Sequence, residues 1–214
     1  MRTILSRFFL IFILPISVFS QEHDFQTWTS ISVSKKILKK TNLTIKQGAR
    51  FRESSSLSSK LFTDLKIKSK YNKHFSFAIG YRFSNDWDKE LELNKKNRFY
   101  SDICYKDKYK KRFLFDTRAR LQAQGNIEGY AATFRHKSSL AYNIPKTKLE
   151  PSVALEYFLP FESILIEKLR YTMGLSHPIT KDLDAEIAYR IQQEYYVNNP
   201  ETLYIFEGKL SYDF

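Results

Sequence analysis

Along most of this chain, apolar and polar residues alternate one for one. From Leu43 the apolar phase is Leu43, Ile45, Ala49 and Phe51, set against Thr44, Lys46, Gly48, Arg50 and Arg52. The clearest run sets Phe75, Phe77, Ile79, Tyr81 and Phe83 against Ser76, Ala78, Gly80, Arg82 and Ser84. A period of two sends successive side chains to opposite faces of a strand, so each run predicts a strand with one apolar and one polar face. The same pattern recurs at 65–71, 98–105, 113–122, 132–142, 152–157, 168–175, 183–192 and 204–214. Ten strands follow, each near the length of about 9–11 residues that a tilted membrane-crossing strand needs. Nothing between them has helical period or length. A further segment, 25–34, sets Ile31 and Val33 against Ser30, Ser32 and Ser34. It reads as an edge strand, a lumen plug or half of a misread pair, since an odd count is unusual for a single-chain bacterial barrel.

Two architectures compete for such a pattern. Strands of soluble sandwiches are usually about five or six residues long and bounded by abundant Gly and Pro. Here the runs are longer, Gly and Pro number six each, and the apolar face ends repeatedly in Tyr or Phe. Aromatic girdles at both rims are a property of membrane barrels. The expected fold is therefore all-β: a transmembrane antiparallel up-and-down β-barrel of about ten strands (10–12). The last strand closes on Tyr212 and Phe214 with no tail. That ending resembles the C-terminal signature of bacterial outer-membrane barrels, which the barrel assembly machinery reads.

The first residues agree. MRTILSR precedes the apolar run FFLIFILPISVF, and Ser20 stands before Gln21. This is the arrangement of a secretory signal peptide, too short to span a bilayer, which takes about 20 residues. The expected organisation is a signal peptide over 1–20, cut between Ser20 and Gln21, and one barrel domain over 21–214 in the cell outer membrane. A mean hydropathy of −0.44 suits a barrel, where only alternate residues meet lipid. One cysteine, Cys104, excludes a disulfide framework. The formal charge of +12 would ordinarily suggest nucleic acid, but export makes that partner unexpected.

Connections alternate between short (72–73, 106–111, 144–148, 177–182) and longer (53–59, 85–97, 124–129, 159–167, 195–202). Short turns are periplasmic in outer-membrane barrels and long loops external. The short set is basic, with Lys73, Lys106, Lys108 and Lys110, and the long set acidic, with Asp86, Asp88, Glu90 and Glu92. Lysines there would reach outer-membrane lipids.

Charged residues fall on the polar phase, which would face the lumen: Arg82, Arg98, Asp102, Arg118, Arg120, Arg135, Glu156, Arg170, Glu186, Arg190 and Glu194. Unpaired charges between low-dielectric walls are costly, so such a set must pair or hydrate. A ten-stranded barrel is little wider than the eight-stranded kind that side chains fill. A cross-linked ion-pair core without an open pore is the first expectation, and a narrow solute path lined by arginine the second. In particular, Arg98, Arg118, Arg120, Arg135 and Arg170 are expected to hold Asp102, Glu156 and Glu186.

Catalytic motifs are sparse. No zinc spacing, phosphate-binding glycine loop or nucleophile elbow occurs, so no metal and no cofactor is expected. His136 and Ser138 lie two apart on one strand and face the same way. That placement is similar to outer-membrane lipid hydrolases, where histidine activates serine. The neighbouring positions of the same phase, from Phe113 to Ala119 and Val153 to Tyr157, hold no acid or amide to orient the imidazole.

The runs GYRFS (80–84), RFYSDICY (98–105), RARLQ (118–122), PSVALEYF (151–158) and EKLRYTMGL (167–175), with Arg135 and the AYR of 188–190, carry a family resemblance over 28–214. The chain resembles a Gram-negative outer-membrane β-barrel family of unknown function, domain-of-unknown-function family 2490. The resemblance implies a barrel and brings no catalytic residues. The expected role is non-enzymatic: a structural or accessory component of the outer membrane, with other envelope proteins as partners of its loops. A narrow porin is the alternative, and a lipid hydrolase using His136 and Ser138 a third.

Overall fold

A computed structural model of the chain describes residues 22–214, and every regular element in it is a strand. The signal peptide read at 1–20, with its cut after Ser20, lies outside the described residues. The strands are β1 (Glu22–Leu38), β2 (Thr41–Arg52), β3 (Leu57–Lys70), β4 (Phe75–Trp87), β5 (Leu93–Tyr109) and β6 (Phe113–Asn126), then β7 (Gly129–Tyr142), β8 (Glu150–Pro160), β9 (Lys168–Pro178), β10 (Leu183–Glu194) and β11 (Glu201–Asp213). They close into a barrel in chain order, with β1 against β11.

The segment left open by the alternation is β1. The barrel is antiparallel as expected except at one seam, where β1 pairs with β11 in parallel, from Glu22 opposite Glu201 to Ser34 opposite Asp213. The reason is arithmetical. Hairpin-linked strands run alternately up and down, so the first and last of an odd set point the same way. An unclosed sheet would leave two rows of unpaired N–H and C=O groups. Parallel pairing satisfies them, and the Phe214 N–H adds a bond to the Ser34 carbonyl at 2.8 Å.

Following register from Glu207 through Trp28, Arg50, Lys60 and Asp86 arrives at Asn94 on β5. The opposite route, through Ala188, Gly174, Ser152, Ala141 and Leu114, arrives at Lys108 on the same strand. That stagger tilts every strand against the barrel axis.

Pairing also runs beyond the alternating cores. On β4 and β5, Ser84, Asn85, Asp86 and Trp87 still face Lys96, Lys95, Asn94 and Leu93, although all but the last pair are polar. A backbone ladder needs no apolar partner, so the loop expected at 85–97 shortens to 88–92, and the turn expected at 106–111 shortens to a tight one at Lys110 and Lys111. Both lysines adopt left-handed backbone, φ 48° and 61°, the conformation of a two-residue hairpin turn. The expected contrast in connection length largely disappears: 127–128 at one end is among the shortest and 143–149 at the other among the longest. The contrast in charge between the ends remains. The Phe214 end carries Lys106, Lys108, Lys110 and Lys111; the Glu22 end carries Glu90, Glu92, Glu128 and Glu162.

Apolar residues point outward and charges inward. Ile79 is 63% and Ile31 60% exposed, whereas Asp102 and Glu156 are each 4% exposed. The apolar cluster inside is small: Trp28, Leu203 and Ile205.

Candidate functional site

The polar phase of eleven tilted strands converges on the lumen, where charged side chains join into a girdle. Glu156 on β8 stands at its centre. Its Oε1 accepts hydrogen bonds from Arg118 Nη2 at 2.7 Å and Arg135 Nη2 at 2.8 Å, and its Oε2 accepts one from Arg170 Nη1 at 3.2 Å. Three guanidinium groups, delivered by β6, β7 and β9, thus surround one carboxylate. Asp102 accepts a bidentate pair from Arg120 at 2.6 and 2.7 Å, the geometry for which the guanidinium fork is suited. Asp64 accepts from Arg82 Nε at 2.8 Å and from the Tyr100 hydroxyl at 2.7 Å. Glu207 takes Arg190 and lies 3.3 Å from Lys209 Nζ.

Aromatic rings complete the girdle. Arg50 lies over Trp28 with its guanidinium carbon 3.7 Å from the ring centroid, Arg120 over Tyr100 at 3.8 Å, Arg82 over Phe62 at 4.0 Å and Arg135 over Phe158 at 4.4 Å. A cation above an aromatic face is attracted by the ring quadrupole, the more so when desolvated. Two of these rings point inward because the opposite strand makes room. Phe62 faces Gly48 and Tyr100 faces Gly80 in register, and a Cβ at either glycine would collide with the ring. Trp28 links the two sides of the lumen, touching Arg50 and lying 5.2 Å from Arg170.

Of the charges assigned to the lumen from the alternation, Arg82, Arg98, Arg118, Arg120, Arg135, Glu156, Arg170 and Arg190 line its cavity, and not all of the set pair as expected. Arg98 bonds the Gln124 side chain at 2.7 Å rather than a carboxylate, because Gln124 is its partner in register. Glu186 is held by Lys209 at 2.6 Å, not by an arginine; the two are paired across β10 and β11. Glu194 takes Lys168 at 2.5 Å. The girdle further contains Arg50, Asp64 and Glu207, which the alternation places on the polar phase but does not connect. Trp28, Phe62, Tyr100 and Phe158 could have been found as large aromatics on a polar phase.

His136 and Ser138 lie on the outer face, where they do not bond one another. The His136 Nε2 is 2.8 Å from the Thr117 hydroxyl, and that hydroxyl is 3.4 Å from the Ser138 hydroxyl. Thr117 stands between them, and the imidazole leans on Tyr157 with ring centroids 5.3 Å apart. Tyr212 and Phe214 also face outward, packed edge to face at 4.7 Å.

The lumen retains a cavity of about 830 Å³, lined at the Glu22 side by Lys96, Arg98 and Lys168 and at the Phe214 side by Lys46, Lys66 and Lys137. What arginine, aromatic and carboxylate groups can do in this arrangement is brace the walls and hold anions.

A family described as Protein of unknown function (DUF2490) matches the chain over residues 25–202. No curated protein matches it.

Proposed function

We propose that this chain, which belongs to the DUF2490 family of proteins of unknown function, is an outer-membrane β-barrel of a Gram-negative cell with a structural or accessory rather than enzymatic role. One observation carries the reading: its large apolar side chains are on the outside. Phe77, Ile79, Phe99, Ile103, Val153 and Met173 are all exposed on the outer face. Monomeric soluble proteins rarely expose contiguous apolar patches above a few hundred Å², whereas hydrocarbon removes that cost. The closed ladder fits as well, since no backbone group in a bilayer may lack a partner.

The girdle favours a braced lumen over an open pore. Its arginines are held by carboxylates and rings, mostly on adjoining strands. In this reading the basic Phe214 end faces the periplasm, where lysines reach lipid phosphates. Phe214 and Tyr212 are the signal for the assembly machinery, and the acidic Glu22 end meets other envelope proteins.

Fractionation tests the location. The protein should sediment with outer membranes and migrate faster unheated than boiled, as a closed barrel resists unfolding in detergent; deleting Phe214 should deplete this fraction. Recovery of the intact chain in the soluble periplasm would refute the proposal. A second reading, a narrow anion path, is favoured by the cavity lining on both sides of the girdle. Planar-bilayer recording separates the two. Near-zero conductance fits the braced barrel, and steady anion-selective current would move the assignment to transport. Catalysis by Ser138 draws no support from an imidazole bonded to Thr117, and an esterase activity abolished by Ser138→Ala would reinstate it.

A further inference from the structure

One lumen-facing step from the girdle toward the Phe214 end, the chemistry of the lumen changes. On β2 the step goes from Gly48 to Lys46, on β3 from Asp64 to Lys66, on β6 from Arg120 to Arg118, on β7 from Arg135 to Lys137 and on β11 from Glu207 to Lys209. Strands β2, β3 and β11 form one wall and β6 and β7 the wall opposite. Five cations therefore face one another. On the remaining strands the same step carries small residues, among them Ser30, Ala78, Ala154 and Ala188, and one carboxylate among the described residues, Asp102. Arg120 already occupies both oxygens of Asp102.

The cations are unequally served. Arg118 reaches Glu156, and Lys209 reaches Glu186 and Glu207. Lys46, Lys66 and Lys137 form no ion pair among the described residues, although all three line the cavity. Their neighbours in register explain this. Lys46 stands opposite Asp64, which Arg82 and Tyr100 hold. Lys137 stands beside Glu156, which three arginines share. Lys66 faces Gly80. One further lumen-facing step toward the Phe214 end come the carboxylates Asp116 and Glu186, and Glu186 is taken. At the level of the lysines, the hydroxyl of Ser30, 8% exposed, and the Nε of Arg118 make no hydrogen bond to protein.

Like charges gathered between low-dielectric walls must hydrate or take a counter-charge from outside the chain, and the small side chains among them leave room for one. Lysine, a point charge on a flexible stem, suits an oxyanion approached from several sides. We propose that this part of the lumen is a binding chamber for a small polyvalent phosphate-type anion, held by Lys46, Lys66 and Lys137 with Arg118 and Lys209 beside them. The anion joins the two walls that the girdle leaves unbridged at this level.

Pyrophosphate titrated into the full barrel folded in detergent, at ionic strength held constant with chloride, tests this. Saturable binding is expected, and the Lys46→Gln, Lys66→Gln, Lys137→Gln variant should bind at least about tenfold more weakly, since three charged donors are gone and each 1.4 kcal/mol is tenfold. Lys66→Gln and Lys137→Gln singly should each weaken binding several-fold, which keeps the test open should the triple variant fold poorly. Lys108→Gln, Lys110→Gln, Lys111→Gln, at the exposed β5–β6 turn, should bind as the wild type does. Absence of saturable binding, equal binding by the lumen variants, or loss in the turn variant would each overturn the chamber. A chamber that binds yet passes no current leaves the braced-barrel reading standing, and one that fails leaves it untouched.

Discussion

The girdle and the step just beyond it are built from the same kinds of charge and behave as opposites. In the girdle, arginines outnumber carboxylates, yet each of Arg82, Arg120, Arg135, Arg170 and Arg190 has a carboxylate within hydrogen-bond reach. Several also have an aromatic face beneath them. One step along, Lys46, Lys66 and Lys137 have neither among the described residues. A planar fork can share one carboxylate with two other arginines and still stack on a ring, whereas an ammonium is a compact, strongly hydrated point charge with no flat face to stack. The girdle is therefore largely paired, although Arg135 and Arg190 each keep an unbonded Nε, whereas Lys46, Lys66 and Lys137 at the next step form no ion pair among the described residues. Braced walls and an ion-demanding chamber sit within one lumen because both the residue type and the balance of charge differ between the two levels.

Removing the shared carboxylate should break the girdle most severely. Glu156→Ala leaves Arg118, Arg135 and Arg170 without their anion inside a closed lumen. Breaking a buried ionic group this way typically costs about 3–5 kcal/mol, so the temperature at which the unheated band converts to the unfolded one should fall markedly. If these arginines were already hydrated in an open path, that temperature would hardly move and anion conductance would rise instead.

A smaller effect is expected at the girdle's packing. Gly80→Ala places a methyl group into the Tyr100 ring, and that ring cannot retreat easily, being bonded to Asp64 and covered by Arg120. Overpacking of this kind costs about 1–3 kcal/mol. Gly208→Ala is the matched control, since nothing lies within 4 Å of its added Cβ. Equal heat stability of the two variants would mean that Tyr100 is not locked and that the girdle is looser than its contacts imply.

How far the chain disclosed this in advance follows from which interactions are local. Alternation is local, so the inward set from Arg82 to Arg190 and the outward set from Phe75 to Phe115 were legible residue by residue. Register is not. The bond between Arg98 and Gln124, the fit of Phe62 against Gly48 and the parallel seam of β1 on β11 each depend on which residue stands opposite, and no periodicity reports that. Trp28, Phe62 and Tyr100 were visible as large rings on the polar phase, but their role was not: such a ring looks like a fault in the pattern until its glycine or arginine partner is known. The lysines of the chamber were visible as polar-phase residues, but that they lack carboxylates could be seen only once every neighbour was placed.

The lysine step should respond to charge removal in the opposite way from the girdle. Lys137 lies in register between Arg118 and Glu156, and Glu156 is already shared by three arginines, so its ammonium meets mainly like charge. Lys137→Gln keeps most of the side chain's length and its ability to hydrogen-bond while removing that charge. Stability without added phosphate should change by no more than about 0.5 kcal/mol, toward a higher conversion temperature if it moves at all. Because repulsion is screened by salt, any gain should shrink between low and high ionic strength, which a packing effect would not do. A loss approaching that of Glu156→Ala would mean that Lys137 has a partner inside the girdle and that the division of the lumen into a braced part and a chamber is false.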